Sequence, residues 1–121
     1  MKKALITLSM LVALSFTLVA QPGWNWPEQD KPKAEEKNVL YSDAVKMQDW
    51  RTAIPPLQYL IRVAPDLNEA LYVNGAKIYD NLAKVEKDAA KKNVYLDSLM
   101  WMYDMRMKYF GDSINVMNRK A

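Results

Sequence analysis

The chain has 121 residues and a mass of 14.0 kDa, which is enough for one small domain but not for two. It contains no cysteine and no histidine, and this excludes disulfide bonds, thiolate nucleophiles, imidazole acid–base chemistry and the usual zinc and copper sites. The net charge of +3 falls to +1 without Lys2 and Lys3, so charge gives no reason to expect nucleic acid or an anionic membrane as a partner.

Residues 1–20 have the pattern of a secretory signal peptide. Lys2 and Lys3 give a positive start, about sixteen mostly apolar residues follow, and the small Ala20 offers a cleavage site. Leu18 departs from this pattern because the peptidase prefers a small residue three positions before the cut, so an uncleaved anchor is the alternative. No cysteine lies near the cut to carry a lipid. We therefore predict a periplasmic or secreted protein that is cleaved after Ala20, is not a lipoprotein and is not in the membrane after cleavage.

Residues 21–33, QPGWNWPEQDKPK, form a proline-rich leader. Proline fixes its own backbone and moves the preceding residue out of the helical region, so we expect an extended or polyproline conformation. Trp24 and Trp26 have two interpretations. Their indoles either dock in a groove on a partner or a glycan, or pack back on the helical body, and the second is favoured because lone aromatic residues in leaders usually do so.

After residue 33 the apolar residues recur with the 3.6-residue period of an α-helix, so we predict an all-α fold. The predicted helices cover residues 34–47, 50–63, 68–82 and 88–110, and residues 113–121 begin a further one. We expect Asp66 to cap the third helix. Pro55 and Pro56 fit best if the second helix begins at Thr52. The first four backbone amides of a helix donate no hydrogen bond within it, so proline removes none there. On the first helix we expect the apolar side to carry Val39, Leu40, Ala44 and Met47.

Residues around the second predicted helix follow a regular spacing. An aromatic residue is followed after three positions by a small alanine, then by two large apolar residues and a closing proline. These residues are Trp50, Ala53, Leu57, Leu60 and Pro65. The intervals resemble those of the 34-residue tetratricopeptide repeat, in which the alanine lets two helices approach closely and the large residues fill their interface.

The second repeat unit opens at residue 68. In this unit Gly75 matches the family's glycine, at which the two helices of a repeat cross. Ile78 takes the position of the family's tyrosine, three residues later. The first unit departs from the family. Its glycine position holds the large Tyr41 and its tyrosine position holds the small Ala44, so the side-chain sizes are reversed.

The charged stretch 83–93 adds about eleven residues between the two helices of the second unit. We expect a solvated turn followed by a polar first turn of the fourth helix. The resemblance covers residues 34–112, about two thirds of the chain, and the run 64–83 is also similar to exported tetratricopeptide proteins of Bacteroidota. It implies antiparallel helix pairs of a short or truncated α-solenoid over residues 34–121, with about one and a half to two divergent repeats.

Such a domain is a non-catalytic protein–protein interaction scaffold, so the resemblance implies a peptide or protein partner in the bacterial cell envelope. It implies no catalytic residue, no cofactor and no metal. The family's usual placement puts the binding groove on the first helix of each pair. That groove would be lined by Asn38, Ser42, Val45, Lys46, Glu69, Tyr72, Ala76, Tyr79 and Asp80. Tyr72 and Tyr79 would hold an extended or helical peptide.

The fourth predicted helix is apolar on two sides. One stripe consists of Tyr95, Leu99, Met102, Arg106 and Tyr109. The adjacent stripe consists of Leu96, Met100, Tyr103, Met107 and Phe110. The third helix covers only one of these two sides. The other side must be covered by a following repeat, the leader or a second copy of the chain. The alternative function is therefore a structural envelope protein that self-assembles through helix 94–110.

Two further groups of side chains, the methionines of the fourth helix and a set of carboxylates, each have a functional and a structural interpretation. Four methionines share this helix, at Met100, Met102, Met105 and Met107. Core filling is the favoured interpretation, followed by an adaptable binding surface and, least of all, a copper(I) site. The carboxylates of a glycosidase-type pair would come from Asp80, Glu86, Asp88, Asp97 and Asp104. Their spacing is typical of solvated helix faces, so we predict that the chain is not an enzyme.

Overall fold

The computed structural model describes residues 24–111, and every regular element in that range is an α-helix. The helices are α1 (Lys31–Lys46), α2 (Trp50–Val63), α3 (Ala70–Val85) and α4 (Ala89–Phe110). α1 packs on α2, α2 on α3 and α3 on α4, so two helical hairpins stack through α2 and α3. The predicted signal peptide and the predicted helix at 113–121 lie outside the described residues. No helix within 24–111 has the length and apolarity to cross a membrane.

α1 begins earlier than predicted and buries a different side. Ala44 is buried as predicted, but Val39, Leu40 and Met47 are exposed, and Asn38 and Tyr41 are buried in their place. The predicted apolar side of this helix is therefore wrong at three of its four residues. The helix ends in a Schellman motif in which Gln48 takes a left-handed conformation with φ of 58°. The Gln48 amide donates to a carbonyl three residues back, and the next amide donates to one five residues back. This motif turns the chain directly into α2.

α2 contains both prolines in its interior. It begins at Trp50, so the prediction of an entry at Thr52 is wrong. Pro55 and Pro56 cannot donate to the carbonyls four residues earlier, which belong to Arg51 and Thr52. Both of those residues are exposed, so water reaches this side of the helix and can take the place of the missing amides.

The leader lies against the connection between α2 and α3. The backbone amide of Asn25 donates to the Leu67 carbonyl at 3.1 Å, and its side-chain amide donates to the Asp66 carbonyl at 2.9 Å. Trp24 and Trp26 are half-buried and pack on the hydrophobic core, with their ring centroids 5.7 Å apart. The prediction that the indoles pack back on the helical body is confirmed.

The start of α3 is capped by a different residue from the one predicted. The Asn68 side-chain oxygen accepts from the Leu71 amide at 3.0 Å, which is the hydrogen bond expected of Asp66. Asp66 instead offers its backbone carbonyl to the leader.

The connection between α3 and α4 is shorter than the predicted turn. α3 continues to Val85 and α4 starts at Ala89, so most of the charged stretch 83–93 is helical, in keeping with its alanine and lysine content. The Asp88 side chain caps α4 by accepting from the Lys91 amide at 3.0 Å.

One hydrophobic core runs through all four helices. Its largest fully buried side chains are Tyr41, Leu57, Leu60, Leu67, Leu71, Tyr72 and Ile78. Ala53 is also fully buried, while Trp50 and Pro65 are half-buried. Met102 is the α4 residue that reaches furthest into the core, at 2% exposure.

Candidate interaction surfaces

α4 is positioned by the stripe of residues that faces α3. The Met102 side chain packs against Gly75, where an added Cβ atom would lie 2.6 Å from the Met102 sulfur. A larger residue at this position would require the Met102 side chain to shift. On either side of this crossing, Tyr79 packs on Tyr95 and Tyr72 stacks on Tyr109, with ring centroids 6.3 and 6.1 Å apart.

An ion pair locks the same interface. The Arg106 side chain is 10% exposed and donates from Nε to Glu69 Oε2 at 2.8 Å and from Nη2 to the same oxygen. Glu69 lies directly before α3, where the positive end of the helix dipole also stabilises its carboxylate. The rotation of α4 about its own axis is therefore fixed, and so is the side of α4 that faces away from α3.

That outward side carries the second apolar stripe, here called the α4 stripe: Leu96, Met100, Tyr103, Met107 and Phe110. Leu96, Met100 and Tyr103 are 38%, 52% and 37% exposed. The prediction that the whole stripe lacks a partner needs correction at Phe110, which is half-buried with its ring 6.3 Å from Tyr72. The stripe's spacing of four, three, four and three residues is that of a coiled-coil seam.

A groove separates α2 from α4, with α3 beneath it. It has a volume of about 320 Å³ and we call it the α2–α4 groove. It is lined by Gln58, Ile61, Arg62, Tyr79, Ser98, Trp101 and Met102. The Gln58 amide donates to the Tyr79 hydroxyl at 3.3 Å, and Trp101 is 43% exposed. This volume lies at the lower end of the range for ligand pockets, about 300–1,000 Å³.

Three cations surround the ring of Tyr59, on the outer side of α1 and α2. The ammonium groups of Lys33 and Lys37 lie 5.1 and 5.9 Å from the ring centroid, and the Arg62 guanidinium carbon lies 5.6 Å from it. We call these four residues the Tyr59 cluster. Arg62 belongs to both the cluster and the α2–α4 groove.

The groove predicted from the repeat resemblance is not formed by its predicted residues. Asn38, Tyr72, Ala76 and Tyr79 are buried. Glu69 forms an ion pair with Arg106, and Asp80 forms one with Lys84 at 3.0 Å. Ser42 and Val45 are half-buried, and Lys46 is exposed.

Tyr72 in particular cannot hold a peptide. It is fully buried, it donates its hydroxyl to the Pro65 carbonyl, and α4 covers its ring. Burial raises the pKa of Tyr72, and the nearby Tyr109 and Asp66 raise it further. Truncating Tyr72 is therefore expected to destabilise the domain rather than only to weaken partner binding. Tyr79 reaches a surface only where it lines the α2–α4 groove.

The carboxylates considered for catalysis include three with structural partners. Asp80 pairs with Lys84, and Asp88 caps α4. Glu86 lies 3.9 Å from Arg51 and accepts from the Asp88 amide at 3.2 Å. Within residues 24–111 no three metal-binding side chains from Asp, Glu, His or Cys lie close enough to hold an ion.

The four methionines of α4 point in different directions. Met102 is in the core, Met105 packs against it, Met107 is half-buried and Met100 is exposed. They do not form a single thioether cluster, so core filling describes Met102 and Met105 and a surface role is open only to Met100 and Met107.

The α2–α4 groove and the Tyr59 cluster were not anticipated from the sequence. Each combines residues from different helices, and no spacing connects Lys33 with Tyr59 or Arg62 with Trp101. Comparison of the chain with family models, with curated proteins and with solved structures finds no match.

Proposed function

We propose that this chain is a non-catalytic protein-interaction domain of the cell envelope, and that it binds a helix of a partner protein through the α4 stripe. The observation that carries the proposal is the exposed heptad spacing of Leu96, Met100 and Tyr103 on a helix whose other face is fixed to α3. A seam of this spacing is complementary to a second amphipathic helix, which fills the holes between its residues.

A tetratricopeptide-like solenoid is the proposed finer fold. Two features support it: successive helices pack in chain order, and Gly75 of α3 lies directly against the Met102 side chain of α4. Repeats of this kind bury their apolar faces against neighbouring units, so a helix from another protein on the α4 stripe would take the place of a neighbour. The envelope location rests on the signal-peptide pattern of residues 1–20.

Self-assembly is the second candidate, and the near symmetry of the α4 stripe favours it. Leu96 and Phe110 each lie seven residues from Tyr103, and Met100 and Met107 lie three and four residues from it. Two antiparallel copies of α4 would therefore bring Tyr103 against Tyr103, as an isologous interface requires.

The test is site-specific photo-crosslinking in cells that produce the protein. A photoreactive amino acid replaces Met100, and the exposed Lys77 on α3 is the control position. We expect adducts of one defined larger mass from position 100 and none of that mass from position 77. Adducts with twice the mass of the chain would favour self-assembly. Equal adducts from both positions, or none from position 100, would exclude both candidates.

A further inference from the structure

The α2–α4 groove and the Tyr59 cluster form one continuous surface across α2. Arg62 lines the groove and also lies over the Tyr59 ring, and the cluster continues from there to α1 through Lys33 and Lys37. The surface therefore passes from an apolar slot beside Trp101 to three positive charges on the other side of α2.

The ion pairs between described residues include Arg51–Glu86, Lys84–Asp80 and Arg106–Glu69. None of these pairs involves a cation of the Tyr59 cluster. Lys33 and Lys37 are four residues apart on α1, a like-charge spacing that destabilises a helix by about 0.2–0.5 kcal/mol. Arg62 from α2 adds a third positive charge to the same ring. An anion bound among them would relieve this repulsion.

The groove supplies a complementary apolar element. Ile61, Met102 and the exposed ring of Trp101 form apolar lining, and Gln58 with Ser98 adds hydrogen-bonding groups. A cavity of about 320 Å³ accommodates a large aliphatic or aromatic side chain. α1 packs on α2 and α4 lies beyond the groove, so a ligand that reaches from α4 across α2 to α1 spans more than the distance of about 8–10 Å between two packed helices. An extended peptide of four or more residues has such a length, at about 3.3 Å per residue.

We propose that the α2–α4 groove binds an extended acidic peptide of a partner protein. One large apolar side chain fills the groove, and neighbouring Asp or Glu side chains lie against Arg62, Lys33 and Lys37. The inference rests on the proposed function only in taking the partner to be a protein. The site lies on the side of α4 that carries Trp101, away from the α4 stripe.

The test starts from a random library of displayed twelve-residue peptides, selected against immobilised mature chain (residues 21–121). We expect the enriched peptides to combine Leu, Phe or Trp with adjacent Asp or Glu. The affinity of the best peptide is then measured by fluorescence anisotropy at low and high salt. Binding should weaken several-fold at high salt, because exposed charges contribute to it.

Charge reversal at Arg62 is the decisive variant. R62E should weaken the best peptide at least tenfold, and W101A should also weaken it. K46E, the same charge change on an exposed residue at the end of α1, is the matched control and should leave binding unchanged. Circular dichroism of each variant checks the fold, and Arg62 is exposed, so R62E is expected to remain folded.

The other outcomes contradict the inference. Enrichment of peptides without acidic residues, no enrichment at all, or binding that R62E leaves intact would each overturn it. If Met100→Lys weakens the selected peptides and R62E does not, the peptides bind the α4 stripe instead. Crosslinking at position 100 reports on the α4 stripe alone, so its failure and the failure of this inference can be told apart.

Discussion

Gly75 is the residue whose substitution tests the crossing of α3 and α4 most directly. Alanine has a helix propensity about 1 kcal/mol better than glycine, but overpacking a core costs about 1–3 kcal/mol. Because the added Cβ would meet the Met102 sulfur, we expect Gly75→Ala to destabilise the chain when Met102 is present. In a Met102→Ala background, which itself costs about 2–5 kcal/mol, Gly75→Ala should become stabilising. Urea unfolding of the four proteins measures both effects, and the same sign in both backgrounds would exclude this contact as the cause.

The Arg106–Glu69 pair should respond unequally to loss of its two members. Glu69→Gln leaves a positive charge whose side chain is only 10% exposed, so we expect it to cost about 1.5–3 kcal/mol. Arg106→Met leaves a carboxylate whose side chain is 36% exposed and can be hydrated, so it should cost less. The double variant should be more stable than Glu69→Gln alone. A double-mutant cycle from urea unfolding measures the coupling, and equal costs for the two single variants would show that burial is not what separates them.

Tyr72 makes the stability sensitive to alkaline pH. Its folded pKa is raised above the unfolded value of about 10, so the folded state holds the proton more tightly. The contribution of the protonated Tyr72 hydroxyl to the free energy of unfolding is fully present below about pH 10. This contribution is lost as the pH rises through the pKa of the folded state. We expect the free energy of unfolding to fall above about pH 10, and to fall less steeply for Tyr72→Phe. Tyr103→Phe, on the α4 stripe, is the matched control. An unchanged slope for Tyr72→Phe would assign the loss to other groups, among them Tyr41, whose pKa burial also raises.

At the scale of elements, the leader is expected to behave as a structural part of the domain. Trp24 and Trp26 pack on the core and Asn25 makes two hydrogen bonds to the α2–α3 connection. Trp24→Ala with Trp26→Ala should lower the free energy of unfolding by about 2–4 kcal/mol, since both indoles are half-buried. The exposed Glu28→Ala, in the same leader, is the control. Urea unfolding followed by circular dichroism measures the change, and unchanged stability would mean that the indoles are free to bind elsewhere.

The elements could be predicted from the sequence where local signals agree. The bounds of α2 match the range 50–63 predicted from the apolar period, which Trp50 starts and Ala64 with Pro65 stops, whereas the entry at Thr52 predicted from the prolines is wrong. The buried side of α1 was predicted wrongly because it contains the polar Asn38 and the large Tyr41, which pack against the neighbouring helices, while Val39 and Leu40 are exposed. Hydrophobicity alone does not reveal this choice, since the neighbours decide which side is covered.

The candidate site could be predicted only in part, for a similar reason. The two stripes of α4 follow from residue spacing alone, and α3 covers one of them. The groove expected from the repeat resemblance depended on which side of α3 faces outward, and burial of Tyr72 and Ala76 overturns it. The α2–α4 groove combines residues from three helices, so only their packing brings Arg62 and Trp101 together.

At the scale of the whole molecule, the mass in solution separates the two functional candidates. If the α4 stripe binds another protein, a chain of residues 21–121 should be a monomer across micromolar concentrations. If it pairs with itself, the mass should rise towards twice that of the chain with increasing concentration, and Met100→Lys within the stripe should abolish the rise. Analytical ultracentrifugation with circular dichroism on the same samples makes this measurement. A dimer that Met100→Lys leaves intact would place the interface elsewhere.

The paired indoles of the leader also have an optical consequence. Two tryptophan rings with centroids 5.7 Å apart and planes inclined by 49° have coupled electronic transitions. Such coupling produces an exciton couplet in the far-ultraviolet circular dichroism spectrum. The couplet disappears when the two rings separate. Trp50 and Trp101 lie on other elements, so the tryptophan pair that produces this couplet lies in the leader. Release of residues 24–26 from the domain could then be followed in the native protein without any added dye.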